Sequence, residues 1–455
     1  MKVVIVGGSD AGVSAALRIR ELQPNFEVLI ITKDSYPNFS VCGLPYLHSG
    51  EIGDFRSLFH RTPQDLEAIG IKLKLDTEVL AIDRTNKVLA TSSEEHIPYD
   101  TLILGTGVLP RRLAVLDDLH SPSVFYLHSP GDGEALESFI RTKQPRSALV
   151  IGAGYIGVEM AEAFATRAIK TCLIEQNNQI FPSAEAEFAT RIQDALTLKG
   201  VSIHTSCGVE KASQTVDNKV RVTLTNEESL EVDLVVIAIG VQPNSKLAKA
   251  TGIELSAQGA IVVDSYMRTS DHSILAAGDA VHTFHRILER FTYLPLGSTA
   301  HKQGAIAGEV ASLHLTHQFK GSLGTQVLKV FENVFATTGL KRGQSRQEGY
   351  DPLFIEIEAD DHKAYYPGAN KIYLSILGDK ITGRLLGVQM YGKVATAVQK
   401  RIDVAAVALY SRMTVAEMVD LDLSYNPPLG SPWDPLQVAA AEWIRRSQVQ
   451  RESSI

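Results

Sequence analysis

Cysteine is scarce in this chain: Cys42, Cys172 and Cys207 are the only three in 455 residues, and no two stand close in sequence. That spacing gives no disulfide framework and denies Cys42 the partner thiol that a two-cysteine reductase needs a few residues on. Long apolar runs are missing as well, none approaching the ~20 residues that span a bilayer. A basic block is absent and the formal net charge is −8, so nothing here is built to hold a polyanion. Met1-Lys-Val-Val-Ile-Val6 runs directly into glycines and reads as a strand, not as a signal peptide. These absences argue against nucleic-acid and membrane partners, and no metal centre is expected. Free thiols fit a reducing compartment, so a cytoplasmic globular protein of two to four domains is the expectation.

Dinucleotide chemistry is present twice. Val3-Val-Ile-Val-Gly-Gly-Ser-Asp-Ala-Gly-Val-Ser-Ala-Ala16 reads as an apolar strand, a glycine turn and a small-residue helix. Gly7 permits the turn, Ser9 and Ala11 follow it, and Gly12 lets the helix pack on the strand. A pyrophosphate then sits on the helix N-terminus. The next strand, Val28-Leu-Ile-Ile-Thr32, ends on Thr32 where a ribose-binding acid is expected, with Lys33 and Asp34 just beyond. A plain structural turn remains an alternative for this copy.

The second copy is cleaner. Gly152, Gly154 and Gly157 lie in Ile151-Gly-Ala-Gly-Tyr-Ile-Gly-Val-Glu159, and the following strand ends on Glu175. An acid at that distance binds ribose hydroxyls and opposes a 2′-phosphate. No Lys or Arg occurs in Gln176-Asn-Asn-Gln179, so NADH is expected over NADPH. Each half closes on a matching strand, Leu102-Ile-Leu-Gly-Thr-Gly-Val-Leu-Pro110 and Leu234-Val-Val-Ile-Ala-Ile-Gly-Val-Gln-Pro243, which suggests a duplicated nucleotide-binding fold. Gly105, Thr106, Gly107 and Gly240 belong to these endings. Ile274-Leu-Ala-Ala-Gly-Asp-Ala280 opens onto Gly278 and Asp279, an acid placed to reach flavin hydroxyls.

Cys42 stands in Asn38-Phe-Ser-Val-Cys-Gly-Leu-Pro-Tyr46, just after the first βαβ unit. Pro45 marks a helix start, and a thiol at a helix N-terminus is expected to have a lowered pKa. A lone cysteine otherwise fills a core as a small hydrophobe. If catalytic, Cys42 works alone, as a mixed disulfide with a small thiol or as a sulfenic acid.

Taken in order, these motifs resemble the flavoprotein disulfide reductases, and within them the single-cysteine branch of coenzyme A disulfide reductases, NADH oxidases and NADH peroxidases. The resemblance runs through Tyr293-Leu-Pro-Leu-Gly-Ser-Thr-Ala300, Tyr365-Tyr-Pro-Gly368, Lys400-Arg-Ile-Asp403 and Tyr425-Asn-Pro-Pro-Leu-Gly-Ser-Pro-Trp-Asp-Pro435. It implies an α/β fold with two Rossmann-like nucleotide-binding domains and a C-terminal α+β dimerisation domain. The implied boundaries are 1–112 with 250–325 for FAD, 113–249 for NAD, and 326–455 for dimerisation. It also implies a homodimer, FAD as cofactor with Gly297, Thr299 and Ala300 beneath it, and Tyr155, Ile156 and Glu159 beside the nicotinamide. Tyr365 and Tyr425 match two tyrosines that coenzyme A disulfide reductases contribute from the opposite subunit, which favours a small-molecule disulfide, coenzyme A disulfide among them. Arg18, Arg20, His60, Arg61 and Lys72 are candidates for its phosphates. Two departures stand out: Asp10 where the oxidases and peroxidases carry histidine, and Val41 where asparagine commonly precedes the cysteine. An oxidase or peroxidase cycling Cys42 through sulfenic acid, and a reductase of a protein electron carrier that does not need Cys42, stay open.

Overall fold

The structure is a computed structural model that describes residues 1–314 and 317–452, so residues 315–316 and 453–455 of the expected first and last domains lie outside it. Lys2–Val6 is buried from its second residue onward, the pattern of a strand covered on both faces. It is the middle of a five-stranded parallel sheet ordered Ile274–Ala276, Thr101–Leu104, Lys2–Val6, Glu27–Ile31, Ile71–Lys74. Helices Asp10–Leu22 and Gly297–Ala311 pack together on it. Glycine makes that approach possible: a Cβ on Gly304 would lie 2.2 Å from the Ala11 carbonyl oxygen, and one on Gly308 2.5 Å from that of Ala15.

The second half repeats the design. Ser147–Ile151 lies in the middle of a parallel sheet ordered Ser202–His204, Lys170–Ile174, Ser147–Ile151, Leu234–Ile237, Val124–Tyr126. Each half also carries a small antiparallel sheet, Val79–Asp83 with Val88–Thr91 and His96–Pro98 in one, Val209–Gln214 with Val220–Leu224 and Ser229–Val232 in the other. The two proline-ended strands pair with each other: Val108–Pro110 runs antiparallel to Val241–Pro243. Thr106 Oγ1 donates to the Asn244 carbonyl at 2.6 Å beside that pair.

The C-terminal unit is a five-stranded antiparallel sheet ordered Gln326–Val330, Asn333–Gly339, Leu385–Lys393, Lys371–Asp379, Pro352–Asp360. Helices Val398–Tyr410 and Pro435–Glu452 pack on it. The fold is therefore α/β with two Rossmann-like parallel cores and an antiparallel α+β unit at the C-terminus. Among the described residues no helix is long and apolar enough to cross a membrane.

Candidate active site

The first glycine loop is closed by backbone contact. Gly7 has φ +116°, and a Cβ there would lie 2.1 Å from the Gly105 carbonyl oxygen; one on Gly12 would lie 2.0 Å from that of Gly7. This draws Gly105, Thr106 and Gly107 against the loop. Ser9 begins helix Asp10–Leu22 without a side-chain cap, which leaves first-turn N–H groups for an anion. Gly278 joins the same place: its N–H donates to Gln303 Oε1 at 3.0 Å, and a Cβ on it would meet that of Ala11 at 2.8 Å. Asp279 follows, and burial with the nearby Asp10 pushes its carboxyl up to about 6. Gly297, buried Thr299 and buried Ala300 form the first turn of the helix alongside.

Two observations fit a flavin dinucleotide here. Asp279 is a desolvated carboxyl suited to accept from sugar hydroxyls, and the nearby Tyr293 hydroxyl is buried with no hydrogen-bond partner among the described residues. Thr32, in place of the acid, is buried and spends its hydroxyl on the Asp34 N–H at 3.3 Å. Lys33 is exposed, and Asp34 is half-buried, with burial pushing its carboxyl up.

In the second loop Gly152 has φ +93°, and a Cβ on Gly157 would lie 1.8 Å from the Gly152 carbonyl oxygen. Gly154 faces open space, and Gly240, at φ +97°, lies in the link from the neighbouring strand Leu234–Ile237 to Val241–Pro243. Tyr155 and Ile156 begin helix Tyr155–Thr166. The Tyr155 ring packs on Phe181 at 4.6 Å, while its hydroxyl is buried without a partner among the described residues. Glu159 lies one turn on. Burial and then Glu162 push its carboxyl up to about 7, while Lys329 and a hydrogen bond from Tyr46 act the other way. Lys329 comes from the C-terminal sheet and binds Glu162 at 2.9 Å and Glu51 at 3.0 Å. All three units meet at that lysine.

Cys42 lies in the 3-10 turn Val41–Gly43, directly before the six-residue helix Leu44–Ser49. Solvent reaches it, yet protein crowds its other sides. The lowered thiol pKa expected from a helix start is not found. Crowding raises it, as do the carboxylates of Glu159, Asp10 and Asp279, and one backbone N–H opposes them. A six-residue helix cannot outweigh three acids drawn from three other segments. The same convergence places Cys42 between the two glycine loops. The far end of its helix is held by residues that sequence reading missed: His48, fully buried, lies 3.3 Å from Glu137 Oε2, and Arg167 donates to both Glu137 and the Leu47 carbonyl. Burial lowers the His48 pKa, and the Glu137 carboxylate acts the other way.

The five basic candidates do not form one cluster. Arg18 is bound to Glu309 at 2.6 Å and Glu21 at 2.7 Å, Arg20 caps the Ile69 and Phe26 carbonyls, and Lys72 pairs with Glu27. His60 and Arg61 alone line an open cavity of about 600 Å³, with Asn38, Asp65, Ile69 and His301. Asp10 turns toward His301, whose Nε2 is 3.4 Å away and whose Nδ1 is 2.9 Å from Ser14 Oγ. Tyr365 and Tyr425 stand on the C-terminal unit, 73% and 47% exposed.

The sequence profile of the family described as pyridine nucleotide-disulphide oxidoreductase matches residues 1–304, and its dimerisation-domain profile matches residues 326–435. The NAD(P)H coenzyme A polysulfide/persulfide reductase of Pyrococcus horikoshii is 32% identical over 442 residues, covering 96% of this chain and 97% of that one. Coenzyme A disulfide reductase of Staphylococcus aureus is 29% identical over 439 residues, covering 95% and 97%. Among solved structures, the NAD-dependent persulfide reductase from A. fulgidus superposes with a TM-score of 0.94 at 32% identity, over 98% of this chain and 84% of that one.

Proposed function

The chain belongs to the pyridine nucleotide-disulphide oxidoreductases, enzymes that use FAD and NAD(P)H, and on that premise we propose that it reduces a low-molecular-weight disulfide through Cys42 alone. Coenzyme A disulfide is the substrate the relatives' names favour, with persulfides of the same carrier beside it. One observation carries the reading: an exposed cysteine with no neighbouring thiol, flanked by carboxyl groups from both glycine-loop helices and from the Gly278-Asp279 turn.

The residues divide the work. The Cys42 thiolate attacks one sulfur of RS–SR, forming Cys42–S–S–R and releasing RS⁻, which takes a proton. FAD, which the Gly7–Gly12 loop, Asp279 and the Gly297–Ala300 turn would hold, would supply the two electrons from NADH needed to cleave this mixed disulfide. The second RS⁻ leaves with a proton and Cys42 is restored. Surrounded by carboxylates, Cys42 gains from a neutral donor at the leaving thiolate. Tyr425 of a second copy, with Tyr365 beside it, fits that role, because a phenol donates a hydrogen bond without adding negative charge. This makes the working form a homodimer whose sites are completed across the subunit boundary. His60 and the Arg61 guanidinium provide hydrogen-bond donors for substrate phosphates at the cavity they line.

A mixed dimer of Cys42→Ser and Tyr425→Phe chains tests this. A cross-subunit site leaves one doubly damaged and one intact centre, so up to half the wild-type activity per dimer returns. Recovery of only the residual Tyr425→Phe rate sinks the cross-subunit reading. Cys42→Ser dimers should lack disulfide turnover but still accept electrons from NADH in a single turnover; retained turnover sinks the Cys42 chemistry.

A further inference from the structure

Arg401 is a buried charged side chain whose partners lie in three separate segments of the C-terminal unit. It sits in the first turn of helix Val398–Tyr410 and is 9% exposed. Its neighbours Lys400 and Asp403 are exposed and pair with each other, so Arg401 is the one charged residue of the Lys-Arg-Ile-Asp run that is buried, beside the core residue Ile402. The guanidinium spreads over three acceptors: Nε donates to Asp434 Oδ2 at 2.9 Å, Nη2 to the Asp361 carbonyl at 2.7 Å, and Nη1 to the Thr396 carbonyl. A buried cation so fully used fixes whatever it binds.

What it binds are the roots of two surface segments. Asp361 begins the connection between strands Pro352–Asp360 and Lys371–Asp379, the connection that carries Tyr365. The Asn370 N–H donates to Asp361 Oδ1 at 2.8 Å, closing that loop on itself. Asp434 ends the strap from Val419 to Pro435 that carries Tyr425, and accepts from the Leu436 N–H at 3.0 Å. Gln437, three residues after Asp434, holds the start of the strap through the Val419 and Leu421 carbonyls, both at 2.8 Å. The two segments also touch directly, Lys363 N–H to the Pro427 carbonyl at 3.3 Å.

We propose that Arg401 is a positioning residue that sets Tyr365 and Tyr425 in register with each other, so that both enter the partner's Cys42 site together. This rests on the tyrosine roles proposed above. Lysine, a point donor on a flexible stem, cannot serve the three acceptors in one plane. Arg401→Lys should therefore lower turnover of coenzyme A disulfide by about tenfold to a hundredfold, the effect of misplacing a reacting group by roughly 1 Å. Reduction of bound FAD by NADH in a single turnover should be unchanged, and sedimentation should still show a dimer. Adding Arg401→Lys to a Tyr365→Phe/Tyr425→Phe double variant should cost little more, because the positioned hydroxyls are already gone. Asp434→Asn, which weakens one arm only, should show a smaller loss of the same kind and bears the test if Arg401→Lys does not fold. The inference is overturned by normal turnover in Asp434→Asn and Arg401→Lys, by equal slowing of the NADH step, or by a full further loss on top of the tyrosine variants. Tyrosine variants with wild-type turnover would defeat the tyrosine roles and this inference together. Slow tyrosine variants beside a normal Arg401→Lys defeat the inference alone.

Discussion

Glu175 accepts a hydrogen bond from the Ala153 N–H at 2.8 Å, so the acid at the end of one strand holds the glycine loop at the end of the next. Its other oxygen takes the Asn177 N–H at 2.8 Å and the Asn177 side chain at 2.6 Å. The side chain is buried and both of its oxygens accept hydrogen bonds.

A 2′-phosphate brought to that carboxylate meets no cation in Gln176-Asn-Asn-Gln179. The expected result is kcat/KM at least about tenfold higher with NADH than with NADPH, equivalent to roughly 1.4 kcal/mol. Steady-state kinetics with both nucleotides decide it, and equal values would remove Glu175 from specificity. Glu175→Ala should also lower thermal stability, by about 1–3 kcal/mol for stranding the buried Ala153 N–H.

Asp279→Ala should lose FAD on ultrafiltration, read as a fall in the ratio of visible flavin absorbance to protein absorbance. Gly278 is pinned to Gln303 whatever follows it, so the loop should keep its shape and the loss should report on the carboxylate. Full flavin occupancy in the variant would reassign this turn.

Cys42 should alkylate more slowly at pH 8 than an ordinary exposed thiol, since crowding, and after it three carboxylates, raises its pKa. Removing negative charge reverses the sign: Glu159→Gln and Asp10→Asn should each speed the reaction, by severalfold if the charge acts through partly solvated space. Rates with iodoacetamide across pH 6–10 provide the check. Variants that react no faster than wild type would dismiss the carboxylate ring as the cause.

Glu159 itself has a folded pKa of about 7, above the ordinary 4.5. A raised acid pKa contributes stability that is whole below 4.5 and lost as pH rises through 7. Glu159→Gln should therefore gain in melting temperature relative to wild type between pH 5 and pH 8. A gap that stays constant across that range contradicts the assignment.

Both glycine loops, the strand endings and Cys42 were legible because each is a local pattern whose geometry its own residues dictate. The Gly7 and Gly152 turns, for instance, need only a positive φ and a bare Cα. Contacts between distant segments were not legible. Nothing in the run around Arg18 announces that Glu309 will neutralise it, so of the five basic candidates Arg18 and Lys72 fold into ion pairs, Arg20 onto backbone carbonyls, and only His60 and Arg61 share a cavity. The thiol of Cys42 shows the same limit: its helix start is visible in sequence, whereas Glu159 and Asp279 arrive from segments more than a hundred residues away. Lys329, which ties the three units together, carries no motif beyond its charge, and the run that contains Arg401 does not announce its partners Asp361 and Asp434.

Pairing Val108–Pro110 with Val241–Pro243 puts the outgoing and returning chains side by side. The chain enters and leaves everything between them, some hundred and thirty residues, through that one narrow ribbon. A module attached in that way can be exchanged whole, because its entrance and exit need no new span to bridge. Replacing the segment between Pro110 and Val241 with its counterpart from a relative of opposite nucleotide preference would carry that preference across in one graft. The surfaces left to rematch are those around Lys329, Arg167 and Arg342, with the apolar face that packs on Leu328, Val330 and Phe335.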